Sequence, residues 1–303
     1  RLPNILNRLQ DDQRVEWYKK QGIISHVQII DFVIYQLIAD LQHIPKLNMS
    51  SYKMRRLIAE GSYGKVFMAK EGNKKVALKK FIPAHNDRDD DASSPELAHS
   101  LINFHEMKTL WSLCKNHSVI TMHGVVVTPR NIFIVMDNAK TNLYSHIHKH
   151  THSIANCQDL CQKCINMVVT FHKSGWIHGD LKPSNILICS DGTLKLCDFG
   201  AARLKGASFS NFVYTTYNYV SPEIASETNM VLCFKSDMWS LGCILYEIFH
   251  RKILFSSITD LTNLYCKQIR FNDNKKSFKN SIPNFEWSII SRFLSFDPDK
   301  RTI

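Results

Sequence analysis

Three clusters in the chain have residue types and spacing suited to handling a charged ligand. The first is Glu60-Gly61-Ser62-Tyr63-Gly64-Lys65-Val66, which lies between two β-type runs. Its glycines let the backbone approach an anion closely, and successive amide N–H groups can cradle a phosphate. A plain hairpin turn explains two glycines equally well. Further along, Val76-Ala77-Leu78-Lys79 embeds a cation in an apolar strand. Buried, Lys79 requires an anionic partner; at an exposed strand end it requires none. The third cluster is Ile177-His178-Gly179-Asp180-Leu181-Lys182-Pro183-Ser184-Asn185-Ile186-Leu187. Asp198-Phe199-Gly200, Ser221-Pro222-Glu223 and Asp237-Met238-Trp239-Ser240-Leu241-Gly242 follow it in that order.

The elements that must position these residues divide the chain. Residues 1–50 carry Ile23, Val27, Ile30, Ile34, Leu37 and Leu41 at three- to four-residue spacing, which predicts a helical preface ended by Pro45. Short β-type runs follow at Tyr52–Ala59, Tyr63–Ala69 and Lys75–Phe81. An acidic loop, Asn86–Pro95, leads to a predicted helix over Leu97–Cys114 and two more strands, Val119–Val127 and Ile132–Met136. Beyond Lys140 the pattern is helical, at Gln158–His172, Ser236–Phe249, Leu261–Ile269 and Trp287–Phe296. A β-rich front half and a helical back half predict two lobes around a cleft.

Composition excludes several classes. The 303 residues are 44% apolar and 21% charged, an ordinary globular balance that excludes wholesale disorder. The net charge of +11 raises nucleic acid and acidic substrates as partners, but no basic tail carries it. Its densest patch is 251–279, with Arg251, Lys252, Lys267, Arg270, Lys275, Lys276 and Lys279. Nine scattered cysteines, an odd number, point to reduced thiols and an intracellular location, cytoplasmic or nuclear. The longest apolar stretch, Ile23 to Leu41, is interrupted by polar residues, so no membrane span is expected. A chain that opens on Arg1 and stops at Ile303 reads as trimmed.

The order and spacing of the motifs resemble the eukaryotic protein kinases of Ser/Thr type, over roughly Ser51 to Ile303. The resemblance implies an α+β, bilobal protein-kinase fold: extension 1–50, a β-rich small lobe 51–139 and a mainly helical large lobe 140–303. It also implies ATP and Mg²⁺ as cofactors and a protein substrate with a Ser or Thr acceptor. Asp180 becomes the base that accepts the hydroxyl proton, and Lys182 offsets charge on the moving phosphoryl group. Asn185 and Asp198 supply oxygen ligands to Mg²⁺. Lys79 holds phosphates and pairs with Glu106. The nucleotide lies among Ile58, Gly61, Gly64, Val66, Ala77 and Leu187, with Met136 as gatekeeper and Asp137 and Ala139 offering backbone groups. Thr216 braces Asp180 and Lys182. Glu223 pairs with Arg301, Asp237 caps the catalytic-loop backbone, and His178 and Phe199 are core residues.

The chain departs from that family in places. Ala59 stands where the first loop glycine usually lies. Gly179 replaces the arginine that usually docks an activation-loop phosphate, so control by phosphorylation between Ala201 and Tyr219 is not expected. Segments 60–66, 76–80 and 237–245 are similar to cyclin-dependent kinases, yet Val220 and the short 253–286 interval depart from that group. His146, His148, His150 and His152 alternate, and Cys157, Cys161 and Cys164 share a helical face. Zinc uses such ligands, but packing is the expected role. The alternatives to an active kinase are a pseudokinase-like nucleotide-binding scaffold, suggested by Gly179 and Ala59, and a nucleic-acid binder, which no motif supports. Residues 1–50 are expected to dock on the small lobe and steady the Glu106 helix.

Overall fold

The computed structural model describes residues 43–61, 64–81, 95–128, 131–206, 216–226, 232–258, 260–279 and 282–302. The predicted stripe Ile23–Leu41, the acidic residues 87–91, Ser62, Tyr63 and residues 207–215 lie outside them. The chain forms two compact units. One runs to Leu113 and includes Thr121–Asn138; the other comprises Cys114–Ile120 and Ala139–Ile303.

Among the described residues, the first unit is a five-stranded sheet with one α-helix. Strands β1 (Lys53–Gly61), β2 (Gly64–Glu71), β3 (Lys74–Phe81), β4 (Met122–Val127) and β5 (Ile132–Asp137) lie in the order β1-β2-β3-β5-β4. Every neighbouring pair is antiparallel. Side chains alternate across a strand, so Val76 and Leu78 share one face of β3 while Ala77 and Lys79 take the other. The first face packs into a core of Tyr52, Ala69, Val76, Leu78, Val126, Phe133 and Val135. Pro95 starts helix α1 (Pro95–Ser112), where its missing N–H has no intrahelical partner to lose. Val119 lies outside β4: it makes an isolated bridge to Leu196 within the second unit.

From Pro45, where the helical preface was expected to end, the chain is extended. Lys46 bridges Val125 in parallel, Val125 N–H donates to Pro45 O (2.9 Å) and Leu47 N–H to Val125 O (2.7 Å). A 3₁₀ turn, Met49–Ser51, follows under an Asn48 cap. Ile44 and Tyr52 are buried, and Leu47 and Met49 pack on the sheet core. Pro45 ends any helix before it, and the open edge of β4 supplies the hydrogen bonds that a helix would have made. Gly124 makes the approach feasible, since a Cβ there would lie 2.4 Å from Pro45 O.

The second unit is mainly helical: α2 (Leu143–Lys149), α3 (Ile154–His172), α4 (Pro222–Ala225), α5 (Phe234–His250), α6 (Leu261–Asp273) and α7 (Asn284–Phe293). Short strands β6 (Thr141–Asn142), β8 (Ile186–Ile188) and β9 (Leu194–Leu196) form one small sheet; β7 (Trp176–Ile177) pairs with β10 (Arg203–Leu204). Asn142, Ser153 and Asp260 cap α2, α3 and α6 through their side-chain oxygens. α5 is buried continuously from Ser236 to Ile248, as a helix wrapped by others must be. Several helix ends differ from expectation; α3, for example, begins at Ile154 rather than Gln158. α6 runs on to Asp273, and α7 stops at Phe293, where the Lys275 ammonium takes the carbonyls of Ser291 and Leu294. Among the described residues no helix is long and apolar enough to cross a membrane.

Candidate active site

In the first unit, Lys79 settles the question its sequence left open. It is buried, and its Nζ lies 2.6 Å from both carboxylate oxygens of Glu106 on α1. Glu106 is only 2% exposed, so each charge is the other's compensation. Lys79 shares its sheet face with Ala77, which is in register with Met136 of β5. Val66 faces Lys79 across the β2–β3 ladder and Ala59 across the β1–β2 ladder. Ile58 sits at a register shift of β1 and is exposed. Gly61 and Gly64 pair at the closed end of the β1–β2 hairpin. Gly64 is needed for packing in any event, because a Cβ there would lie 2.5 Å from Lys80 O. Asp137 directs its N–H to Thr121 O (3.0 Å), and its carboxylate accepts from His123 Nε2 (2.7 Å). Burial alone would raise that carboxyl's pKa, but the His123 bond and charge leave it lowered.

The second unit assembles the other charged residues around Asp180. Its Oδ1 accepts the Thr216 backbone N–H (3.0 Å), and its Oδ2 accepts Lys182 Nζ (2.7 Å) and Asn185 Nδ2 (3.3 Å). Lys182 Nζ also donates to Thr216 Oγ1 (2.7 Å), so one ammonium links the carboxylate to the residue that braces it. Asn185 Nδ2 donates to Asp180 O (3.0 Å) as well, which leaves the amide oxygen as the acceptor end of the side chain. Asn185 O accepts the Cys197 N–H, which ties the residue before Asp198 to the loop that holds Asp180. Asp198 takes a left-handed backbone conformation (φ 66°), a strained state for a non-glycine residue. Phe199 is fully buried against His178 and Phe171. Leu187 lies on β8 opposite Asn142, and Lys140, next to Ala139, donates its N–H to Ile188 O.

The loop holding Asp180 is itself anchored. Asp237 on α5 accepts the backbone N–H groups of His178 (2.8 Å) and Gly179 (3.0 Å), and His172 Nε2 reaches its Oδ2 (2.8 Å). Burial alone would raise the Asp237 pKa; the His172 bond, the charges of His172 and His178 and the His178 N–H leave it lowered. Asp237 was legible from its motif. His172 was not, since only the fold brings together residues so far apart in sequence. Gly179 has φ 77°, and a Cβ there would lie 2.8 Å from Ala201 O and 3.0 Å from Leu232 Cδ1.

Arg301 and Glu223 form a bidentate pair at 2.8 and 2.7 Å, with Arg301 stacked over Trp239. Cys157, Cys161 and Cys164 are buried and uncharged; burial pushes the Cys164 thiol up to about 12. Among the described residues no group of three His, Cys, Asp or Glu side chains could hold a metal ion.

Comparison with known proteins is consistent with this geometry. The family profile described as "Protein kinase domain" matches residues 52–303. The chain is 31% identical to CBL-interacting protein kinase 8 of Oryza sativa subsp. japonica, over 84% of this chain and 55% of that protein. It is 29% identical to mitogen-activated protein kinase spk1 of Schizosaccharomyces pombe, over 82% of this chain and 74% of that protein. With cyclin-dependent kinase G1 of Arabidopsis thaliana it shares 31% identity, over 72% of this chain and 36% of that protein. The chain therefore spans about half the length of the rice relative and about a third of the Arabidopsis one.

Proposed function

Since the chain belongs to the eukaryotic Ser/Thr protein kinase superfamily, we propose that it transfers the γ-phosphoryl group of ATP to Ser or Thr hydroxyls of protein substrates. The observation that carries this reading is the network on Asp180, in which Oδ2 takes two donors and Oδ1 takes one, so that Oδ1 keeps a lone pair for an incoming hydroxyl.

Asp180 orients the acceptor hydroxyl and takes its proton as the O–P bond forms. Lys182, held between Asp180 and Thr216, offsets negative charge on the phosphoryl group in transit. Lys79, steadied by Glu106, binds nonreacting phosphates, and the β1–β2 hairpin covers them. Ala77, Val66, Ile58, Leu187 and Met136 supply apolar surface to the adenine, with backbone groups of Asp137 and Ala139 at its edge. The Asn185 amide oxygen and the Asp198 carboxylate form a hard oxygen donor set that suits Mg²⁺, which when bound neutralises phosphate charge. The nine cysteines are free thiols, which supports a reducing, intracellular setting.

The test is phosphate transfer from Mg·ATP to a Ser/Thr peptide library. Asp180→Asn should reduce kcat by about 10²–10⁴-fold, the usual contribution of a positioned base. Lys79→Met should also reduce transfer sharply, with the loss partly in the KM for ATP. Nucleotide binding without turnover across broad peptide and protein panels would overturn the reading in favour of a nucleotide-binding scaffold.

A further inference from the structure

Seven cations fall within residues 251–279, and the proposed reaction uses none of them. Four are engaged within the fold. Arg251 donates to the carbonyls of Ile147 and His148, Lys267 to those of Ser256 and Ser257, and Lys275 to those of Ser291 and Leu294. Lys279 donates to the Asn284 amide oxygen. Lys252, Arg270 and Lys276 are exposed, and their side chains meet no acceptor or carboxylate among the described residues. The same holds for Arg292 in the last turn of α7.

The fold brings three of these together. Lys275 opens the 3₁₀ turn Lys275–Phe278 after α6, and its Nζ takes Ser291 O and, at 2.8 Å, Leu294 O at the end of α7. Lys276 and Arg292 therefore each adjoin a residue of that contact. Arg270 stands one turn before it, its carbonyl accepting the Asn274 N–H (3.2 Å). Between Leu261 and Phe293 six Lys and Arg stand against two acids, Asp273 and Glu286, and Glu286 accepts from Gln158 Nε2 (2.8 Å).

α6 buries Leu264, Gln268 and Phe271, so its 3.6-residue period puts Thr262, Cys266, Ile269, Arg270 and Asp273 on the opposite, exposed stripe. Ile269 is 41% exposed there, an apolar side chain beside the cations. The rings of α6 and its turn pack inward: Phe271 meets Phe255 and Phe278 edge-on, and Tyr265 meets Phe296. Phe285, an exposed ring, opens α7 at the end away from Arg292. Single-stranded nucleic acid is held by stacking bases on exposed rings, and a phosphate backbone has no use for Ile269. An acidic protein segment uses both features.

We infer that this surface docks an acidic protein segment, its carboxylates meeting Arg270, Lys276 and Arg292 while an apolar side chain covers Ile269. None of these residues belongs to the Asp180 network, so docking adds affinity without altering the chemical step. On the kinase reading the segment belongs to the substrate; its binding does not rest on that reading.

Fluorescence anisotropy on the full chain tests the docking. The probe is a labelled peptide of Glu and Asp around a single Leu, and its Gln/Asn counterpart should bind about fivefold more weakly or worse. Exposed pairs contribute about twofold each, so Arg270→Glu, Lys276→Glu and Arg292→Glu together should raise Kd for the acidic peptide about five- to tenfold. Reversing the exposed Lys115, Lys149 and Lys173 makes the same change in net charge and should move Kd less than about twofold, since salt screens distant charges. Ile269→Ser should weaken the Leu peptide but not a version with Ser in its place. Equal Kd for the acidic and amide peptides, an unchanged triple variant, an equal loss in the Lys115, Lys149 and Lys173 control, or equal effects of Ile269→Ser on both peptides would overturn the inference. A length-matched oligonucleotide that binds more tightly and displaces the peptide would do so too. With the acidic segment tethered to a Ser acceptor, the triple variant should raise KM by the same factor and leave kcat unchanged; a fall in kcat at constant KM counts against the docking. Absence of transfer by every form, with the Kd pattern intact, refutes the kinase reading and supports the docking surface.

Discussion

Glu223→Gln isolates the charge of one buried pair while preserving side-chain shape. Arg301 has no exposed side-chain surface, and Glu223 retains 17%. Gln keeps one acceptor for Arg301 and for Ser236 Oγ but leaves a sealed guanidinium without an anion. Breaking a buried pair from one side costs ~3–5 kcal/mol. A protein unit of this size loses ~2–4 °C of Tm per kcal/mol, so the second unit should melt about 6–20 °C lower. Exchanging both residues for leucine should not restore wild-type stability, because the carbonyls of Ser295, Lys235 and Phe296 lose the donors Arg301 supplies. A double-mutant cycle should still show coupling of about 2 kcal/mol or more. The pH dependence has a definite sign. Burial would raise the Glu223 pKa, but the Arg301 bond and charge lower it below its ordinary 4.5. The pair's contribution is therefore present in full above 4.5 and is lost as pH falls through the folded value. Calorimetry should show the gap between wild type and Glu223→Gln closing in acid. A neutral-pH gap under about 2 °C, or a gap that persists below that value, refutes the reasoning.

Three further outcomes are expected. Gly124→Val places a side chain where Pro45 O now lies, and should cost ~1–3 kcal/mol and expose Lys46 to limited trypsin digestion; unchanged protection would contradict the pairing of Lys46 with β4. Gly179→Ala combines a left-handed backbone with a 2.8 Å approach to Ala201 O, and should lower the urea midpoint by the equivalent of ~1–2 kcal/mol at constant m. Burial, and then the charge of Arg301, lower the Lys275 pKa from 10.5 to about 8. Between those values the unfolded chain binds the proton that the folded one has released, so this residue makes stability rise with pH; Lys275→Met should flatten that slope in thermal melts.

The sequence made the ends of this network legible and hid its middle. Asp180, Lys182, Asn185 and Asp198 fall within one short stretch whose order of motifs resembles the protein kinases, so the resemblance exposes them, and the period-two pattern of Val76–Lys79 fixes which face carries the lysine. The β-rich front and helical back halves were readable for the same reason: periodicity is a local property. What escaped depends on contacts remote in sequence. His172 meets Asp237, and His148 meets Glu247, through the packing of α2, α3 and α5, and no local pattern encodes those meetings. The run of alternating histidines admitted metal ligands, though packing was the expected role; the structure gives His148 a carboxylate and His152 the His146 carbonyl. Residues 46–48 follow the proline that ends the predicted helix, and their pairing was hidden for a related reason: the edge of β4 and the bare Cα of Gly124, remote in sequence, take up their backbone groups.

Gly179 shows how one position can be read at both levels. In sequence it is the loss of an arginine, hence of a phosphate dock. In the structure it is also a backbone requirement, since its φ of 77° is one that a bulkier residue reaches only under strain. Asp237 holds that conformation through the adjoining amides, and His172 in turn holds Asp237. In the described residues, the order of the Asp180 loop therefore derives from α5 beneath it and Thr216 beside it, rather than from a cation at position 179.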